Sequence, residues 1–186
     1  CALPIFYMRK YLKKVIMISL VISLLCPVTS MATPKGRNLL DSSVQENSTL
    51  LPENIKMSMG KEQGIARSKA LASAMCMITN KENGILSVYA ETLMFQSVDW
   101  AALTIYLEQL NESTGKWSTV ETFEKEFTPA DREDGQLTSV EFSVSVGTQP
   151  AGHYYRLRCI HELEYDNGWY EAKSTKTDGV LLTNIK

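Results

Sequence analysis

The chain predicts an all-β domain, an antiparallel β-sandwich of about seven strands of immunoglobulin or fibronectin-III type. Three observations carry this. Apolar residues recur with period two: Val140, Phe142, Val144 and Val146 alternate with Glu141, Ser143 and Ser145, the pattern of a half-buried strand. Turn-forming residues punctuate these runs at short intervals. No alternation of helix-like and strand-like segments appears. The one-sided patterning also argues against a parallel α/β sheet, whose strands are apolar on both faces.

Taken in order, the predicted strands lie near 74–79, 85–94, 101–110, 117–127, 137–146, 153–165 and 169–183. In the third, Leu103, Ile105 and Leu107 alternate with Thr104, Tyr106 and Glu108. In the sixth, Tyr155, Leu157, Cys159, His161 and Leu163 share a face opposite Tyr154, Arg156, Arg158, Glu162 and Glu164, which predicts a core side and a wet side. Turns fall at 80–84, at 111–116 with Gly115, at 129–136 with Gly135, at 147–152, and at Asp166-Asn167-Gly168. Asn167-Gly168 between two strand-like runs is a strong hairpin signal, since both residues tolerate positive φ. The seventh run is expected to break at Asp178-Gly179. Residues 71–186 suffice for one hydrophobic core.

The N-terminal third reads differently. Arg9, Lys10, Lys13 and Lys14 form a basic head, followed by an apolar run from Val15 to Leu25, Pro27, and a small-residue exit at Ser30-Met31-Ala32. This is the pattern of a secretory signal peptide over 8–32, with cleavage expected after Ala32. The apolar run is about half the roughly 20 residues a membrane helix needs. Leu25 and Pro27 make Cys26 a poor lipid-attachment site. Residues 1–7 precede a plausible initiator, Met8, and are set aside as non-native. Residues 33–70 are rich in Ser, Asn, Glu, Lys and Gly without a sustained apolar period, and read as a flexible leader or linker. A short helix over 61–73 is the local alternative.

Export changes the charge. The whole chain carries 19 Lys+Arg and 21 Asp+Glu. Loss of 1–32 removes four basic residues and no acidic ones, leaving 15 against 21, a net charge of −6. An acidic exported protein argues against nucleic acid and anionic membrane surfaces as partners.

Asn83-Gly84 with Val88, the run Ala101 to Leu107, and Gly115-Lys116-Trp117 with Val120 resemble the first half of a family of small secreted β-proteins of Gram-positive bacteria. Gly152-His153-Tyr154-Tyr155-Arg156-Leu157-Arg158 with His161 resembles its most distinctive segment. Glu171, Ser174, Thr175 and Thr177-Asp178-Gly179-Val180 resemble its ending. The family is one of unknown function. The resemblance runs from about residue 72 to the C-terminus. It implies export and a sandwich-like domain, and supplies no catalytic residues.

Candidate chemistry is sparse. Cys76 and Cys159 both fall on inward faces. In an oxidising compartment they are expected to form one disulfide, worth about 4–5 kcal/mol in the chain-entropy model; two separate buried thiols are the rival reading. Cys159 and His161 sit two apart on one strand, about 7 Å along it, beyond the hydrogen-bond reach that a nucleophile and its base require. A packed cysteine beside a satisfied histidine is the favoured reading. Two histidines without a cysteine cluster do not make a zinc site. Asp131, Glu133 and Asp134 precede Gly135 and raise calcium as a candidate, although the spacing is not that of an EF-hand; a solvated loop is the simpler reading. Tyr106 and Tyr154 are predicted to face outward and are the candidate surface aromatics, a platform suited to a sugar's apolar face. Trp117 and Trp169 are expected to be core anchors. Tyr155 is a candidate for a corner that bonds a loop backbone, although Leu157 stands where antibody domains place tyrosine.

No phosphate loop, metalloprotease helix or serine elbow is present. No cofactor or metal is expected. The expectation is a secreted, non-enzymatic binding module for a cell-surface glycan or protein, without a membrane span after cleavage. The alternatives are a small exported hydrolase using loop carboxylates, and a structural component of an extracellular assembly.

Overall fold

The computed structural model describes residues 48–63, 68–147 and 149–184. The expected signal peptide, its expected cleavage point at Ala32 and the first part of the expected leader lie outside the described residues.

Nine strands occur among the described residues: β1 (Met57–Gln63), β2 (Leu71–Asn80), β3 (Leu86–Met94), β4 (Trp100–Asn111), β5 (Lys116–Phe127), β6 (Ser139–Val146), β7 (Tyr154–Tyr165), β8 (Trp169–Lys176) and β9 (Val180–Leu181). They form two antiparallel sheets, ordered β1-β2-β3-β6 and β5-β4-β7-β8, with β9 added to the start of β7. The sheets pack as a β-sandwich. The inward faces supply the core: Ala74, Cys76 and Ile78 of β2, Leu86, Val88 and Ala90 of β3, Leu103, Ile105 and Leu107 of β4, and Tyr155, Leu157, Cys159 and Leu163 of β7 are all fully buried. Period-two alternation on each strand is what lets both sheets bury one face against the other.

The turns carry the expected chemistry. Asn83 and Gly84 lie at φ of 53° and 78°, and Asn167 and Gly168 at 58° and 119°. Residues that enter the left-handed region cheaply therefore reverse the chain at the β2–β3 and β7–β8 hairpins.

Two expectations need correction and one is borne out. First, the leader does not extend to 70. Met57–Gln63 forms β1, paired along its whole length with β2 from Met57↔Thr79 to Gln63↔Ser73, so residues 61–63 and 71–73 are strand and not helix. It is an edge strand paired in its sheet with β2 alone, and its apolar side chains, Met57 and Met59, face outward. Gly60 fixes its placement: a Cβ there would stand 2.0 Å from the Lys176 carbonyl oxygen of β8, so only glycine lets the two sheets close at this edge. Second, the 169–183 run is two strands. It breaks at Asp178-Gly179 as expected, with Thr177 turning the chain: its amide donates to Leu157 O at 3.0 Å and its hydroxyl accepts from Leu157 N at 2.9 Å. Third, most of the predicted wet side of β4 and β7 is buried, Glu164 excepted. Ala101 to Glu108 are eight consecutive buried residues, and Arg156, Ile160 and Glu162 are at most 3% exposed.

Candidate functional site

The polar groups of that buried outward face are engaged with one another. Glu108 follows a register shift between Leu107 and Glu108 in β4. Its carboxylate accepts from Arg156 Nε at 2.7 Å and from Arg158 Nε at 3.1 Å. The Arg156 guanidinium lies 4.4 Å from the centroid of the Trp117 ring, and that of Arg158 lies 4.1 Å from that of Tyr106. Arg156 Nη1 also donates to Ser48 Oγ at 2.9 Å, and Ser48 Oγ donates to Thr177 O at 3.0 Å. The Tyr170 hydroxyl donates to Glu162 Oε1 at 2.5 Å. Two cation–π stacks and a bridging carboxylate are how charged side chains on a sheet become compatible with burial.

This overturns part of the aromatic platform. Tyr106 is only 8% exposed, because the Arg158 guanidinium covers its ring. Tyr154, opposite Leu181 of β9, is half-buried. Trp117 is half-buried beneath Arg156 and does not anchor the core. Trp169 is 62% exposed, with Lys69 Nζ 5.3 Å from its ring centroid. Tyr155 does form the corner: its hydroxyl donates to Pro150 O at 3.0 Å, and burial pushes its pKa up to about 12.

The two cysteines are free and not at disulfide distance, so the expected bond is corrected to a buried thiol pair. Cys76 of β2 and Cys159 of β7 are both fully buried in the core between the two layers. Burial pushes the Cys159 thiol well above its usual range, and the neighbouring Cys159 draws Cys76 below it. A fully buried thiol is an inert one.

His161 is the satisfied core histidine. It is fully buried. Nδ1 is 2.8 Å from Thr92 Oγ1 of β3 and Nε2 is 2.8 Å from Thr175 Oγ1 of β8. The ring thereby ties one sheet to the other. Burial holds its pKa down at about 3, so the neutral imidazole is the form in the core.

Two of the three carboxylates of the acidic loop, Asp131 and Asp134, are bonded within it. Asp131 accepts from Thr128 N at 2.7 Å and from Thr128 Oγ1 at 3.0 Å, and Asp134 from Gln136 N at 2.9 Å. Among the described residues, no group of three or more His, Cys, Asp and Glu side chains is arranged to hold a metal ion. A cleft of about 420 Å³ at the β4–β5 turn is lined by Gln109, Asn111, Glu112, Ser113, Ser118 and His153 among others, with Glu112 its one carboxylate.

Glu171 of β8 was missed by sequence reading. Its carboxylate accepts from Ser68 Oγ at 2.5 Å, Lys69 N at 2.8 Å, Leu71 N at 3.1 Å and the Tyr165 hydroxyl at 2.7 Å. Burial raises its pKa, and these donors together outweigh that and hold it at about 2. Glu171 thus ties the entry of β2 to the opposite sheet, which is a structural role.

One surface that remains open is the outer face of the four-stranded sheet. Met57 and Met59 of β1 are 50% and 51% exposed. Met75 and Met77 of β2 and Tyr89 of β3 stand half-buried beside them, and Leu93 and Phe95 are exposed. Register places Met59, Met77 and Tyr89 in one cross-strand row. The Tyr89 hydroxyl donates to Glu141 Oε2 of β6 at 3.1 Å.

No protein-family model matches the chain, and no curated protein matches it in sequence.

Proposed function

We propose that the chain is a secreted, non-enzymatic interaction module that docks a protein at the cell surface through the outer face of its four-stranded sheet. The observation that carries this reading is the thioether and aromatic surface formed by exposed Met57, Met59 and Leu93 with half-buried Met75, Met77 and Tyr89. Flexible methionines adapt to protein surfaces, and contiguous exposed apolar area marks interaction sites. A protein partner suits this face better than a glycan, because the flat ring expected for sugar stacking, Tyr106, lies under Arg158. The groups with nucleophilic or basic character in the core, Cys76, Cys159 and His161, are closed to solvent, which favours binding over catalysis.

The strand orders support an immunoglobulin-like kinship. With β2, β3 and β6 as strands A, B and E, and β5, β4, β7 and β8 as C′, C, F and G, both sheets follow the fibronectin-III arrangement, with β1 added outside A. The Tyr155 corner falls near the start of the F strand, where such domains carry it. Kinship with the secreted Gram-positive β-proteins, and export through the 8–32 signal, belong to the same proposal.

The test is retention of cell-wall protein on the immobilised chain, compared with a Met57→Lys/Met59→Lys variant and with a glycan array. Saturable retention lost in the variant is expected. Retention unchanged in the variant, or glycan binding alone, counts against this face.

A further inference from the structure

Methionine is concentrated on one surface. Five of the eight methionines lie beyond residue 32, and four of those five are Met57, Met59, Met75 and Met77; the fifth, Met94, is in the core. They come from two Met-x-Met runs, Met57-Ser58-Met59 and Met75-Cys76-Met77. Strand period puts both thioethers of each run on the same side, and Ser58 and Cys76 between them are buried. The antiparallel register sets Met59 directly opposite Met77, with Met57 and Met75 on the two diagonals. Opposed residues have Cβ atoms about 5 Å apart and diagonal ones about 7–8 Å. Each methionine has three rotatable side-chain bonds, so three of the four sulfurs can converge above the Met59–Met77 pair.

Apolar area alone does not require this choice of residue. Methionine is not among the favoured strand formers, and leucine, isoleucine or valine, which fill the core, would give the same apolar area. What methionine adds is a thioether, a soft ligand that selects Cu(I) over the harder divalent ions. The flanking charge agrees. Met75 lies between Lys61 and Glu91, and Glu91 lies opposite Glu141, so two carboxylates face one ammonium across the rim of the patch. Tyr89 stands next in the row after Met77 and offers an aromatic face to a cation.

We propose that this thioether cluster binds one soft monovalent cation, Cu(I) or its analogue Ag(I), through three of Met57, Met59, Met75 and Met77. The proposal rests on reading this sheet face as the binding face, and it assigns a ligand class to that face.

The test uses the purified full chain and the metal alone. Cu(I) is supplied without oxygen against a chromophoric Cu(I) chelator, and Ag(I) is followed by the methyl resonances of ¹³C-methyl methionine. One equivalent of Cu(I) is expected to be withheld from the chelator, and Ag(I) is expected to shift at least three of the Met57, Met59, Met75 and Met77 methyls while leaving Met94 in place. Met59→Leu/Met77→Leu conserves volume on an exposed face and is expected to weaken binding about tenfold or more. Cys76→Ala/Cys159→Ala is expected to retain it. Absence of a methyl shift in the unaltered chain, or affinity unchanged in Met59→Leu/Met77→Leu, overturns the proposal. So does affinity lost only with the cysteines. Loss of the ion with retained capture of wall protein would defeat the metal site and leave the docking reading standing.

Discussion

Acidification from pH 7.5 to 5.0 should destabilise the fold by about 2 kcal/mol through one residue, His161. The imidazole titrates near 6.5 in an unfolded chain and at about 3 in the core, because burial disfavours the charged form. A folded-state pKa below the unfolded one means that the unfolded chain binds the proton first. The contribution of His161 is therefore intact above pH 6.5 and is lost progressively as the pH falls from 6.5 towards 3. The slope in that window is about 1.4 kcal/mol per pH unit, and pH 5.0 lies about 1.5 units into it. Glu171, held at about 2, adds its own loss in the same direction only as the pH falls through about 4.5, the usual range for a free glutamate, so the interval from 6.5 to 5.0 isolates the histidine. Against a domain stability of about 5–15 kcal/mol the effect is large. Urea unfolding read by tryptophan fluorescence is the assay, and with a slope of about 1–3 kcal/mol per molar the midpoint should fall by about 1–2 M. His161→Gln should lower stability at pH 7.5, since the Thr92 and Thr175 hydroxyls lose their ring partner, and should flatten the pH dependence. A midpoint constant between pH 7.5 and 5.0, or a slope that survives in His161→Gln, would refute the argument.

Three further outcomes follow from packing and charge. Gly60→Ala should destabilise by about 1–3 kcal/mol or more, seen as a lower melting temperature, because its Cβ meets the Lys176 carbonyl and carbon with no flexible side chain to yield; an unchanged melting temperature would mean β1 does not close on β8. Glu108→Ala should cost about 3–5 kcal/mol, since two guanidiniums, 3% and 12% exposed, would lose the carboxylate between them; denaturant unfolding measures it. Alkylation under denaturing, non-reducing conditions followed by peptide mapping should place one adduct on Cys76 and one on Cys159, with neither labelled in the folded chain; a 76–159 linked peptide would contradict the thiol pair.

The seven core-forming runs were legible because a half-buried strand writes its geometry locally, as alternation ending in turn residues. Asn167-Gly168 and the break at Asp178-Gly179 were read for the same reason. Strand β1 was not legible. Met57 and Met59 face outward while Ser58 and Gly60 face the core, so the strand carries no core-facing apolar period, and Gly60 discloses its role only once Lys176 is known to lie against it. The outward placement of Tyr106 followed correctly from alternation, and its burial did not, because a stack with Arg158 depends on the register of β4 against β7. The role of Glu171 was not legible, since the donors from Ser68 to Leu71 lie about a hundred residues away.

The sequence by itself therefore determined the fold class, the faces of most strands, and the core position of Cys76, Cys159 and His161. Each follows from period two and turn chemistry, which act over a few residues. Only the tertiary structure decided which groups meet. It turned an expected disulfide into a thiol pair, joined His161 to hydroxyls from both sheets, and set Met59 against Met77. Strand order and register are long-range properties fixed by how the two sheets pack, and no local pattern encodes them.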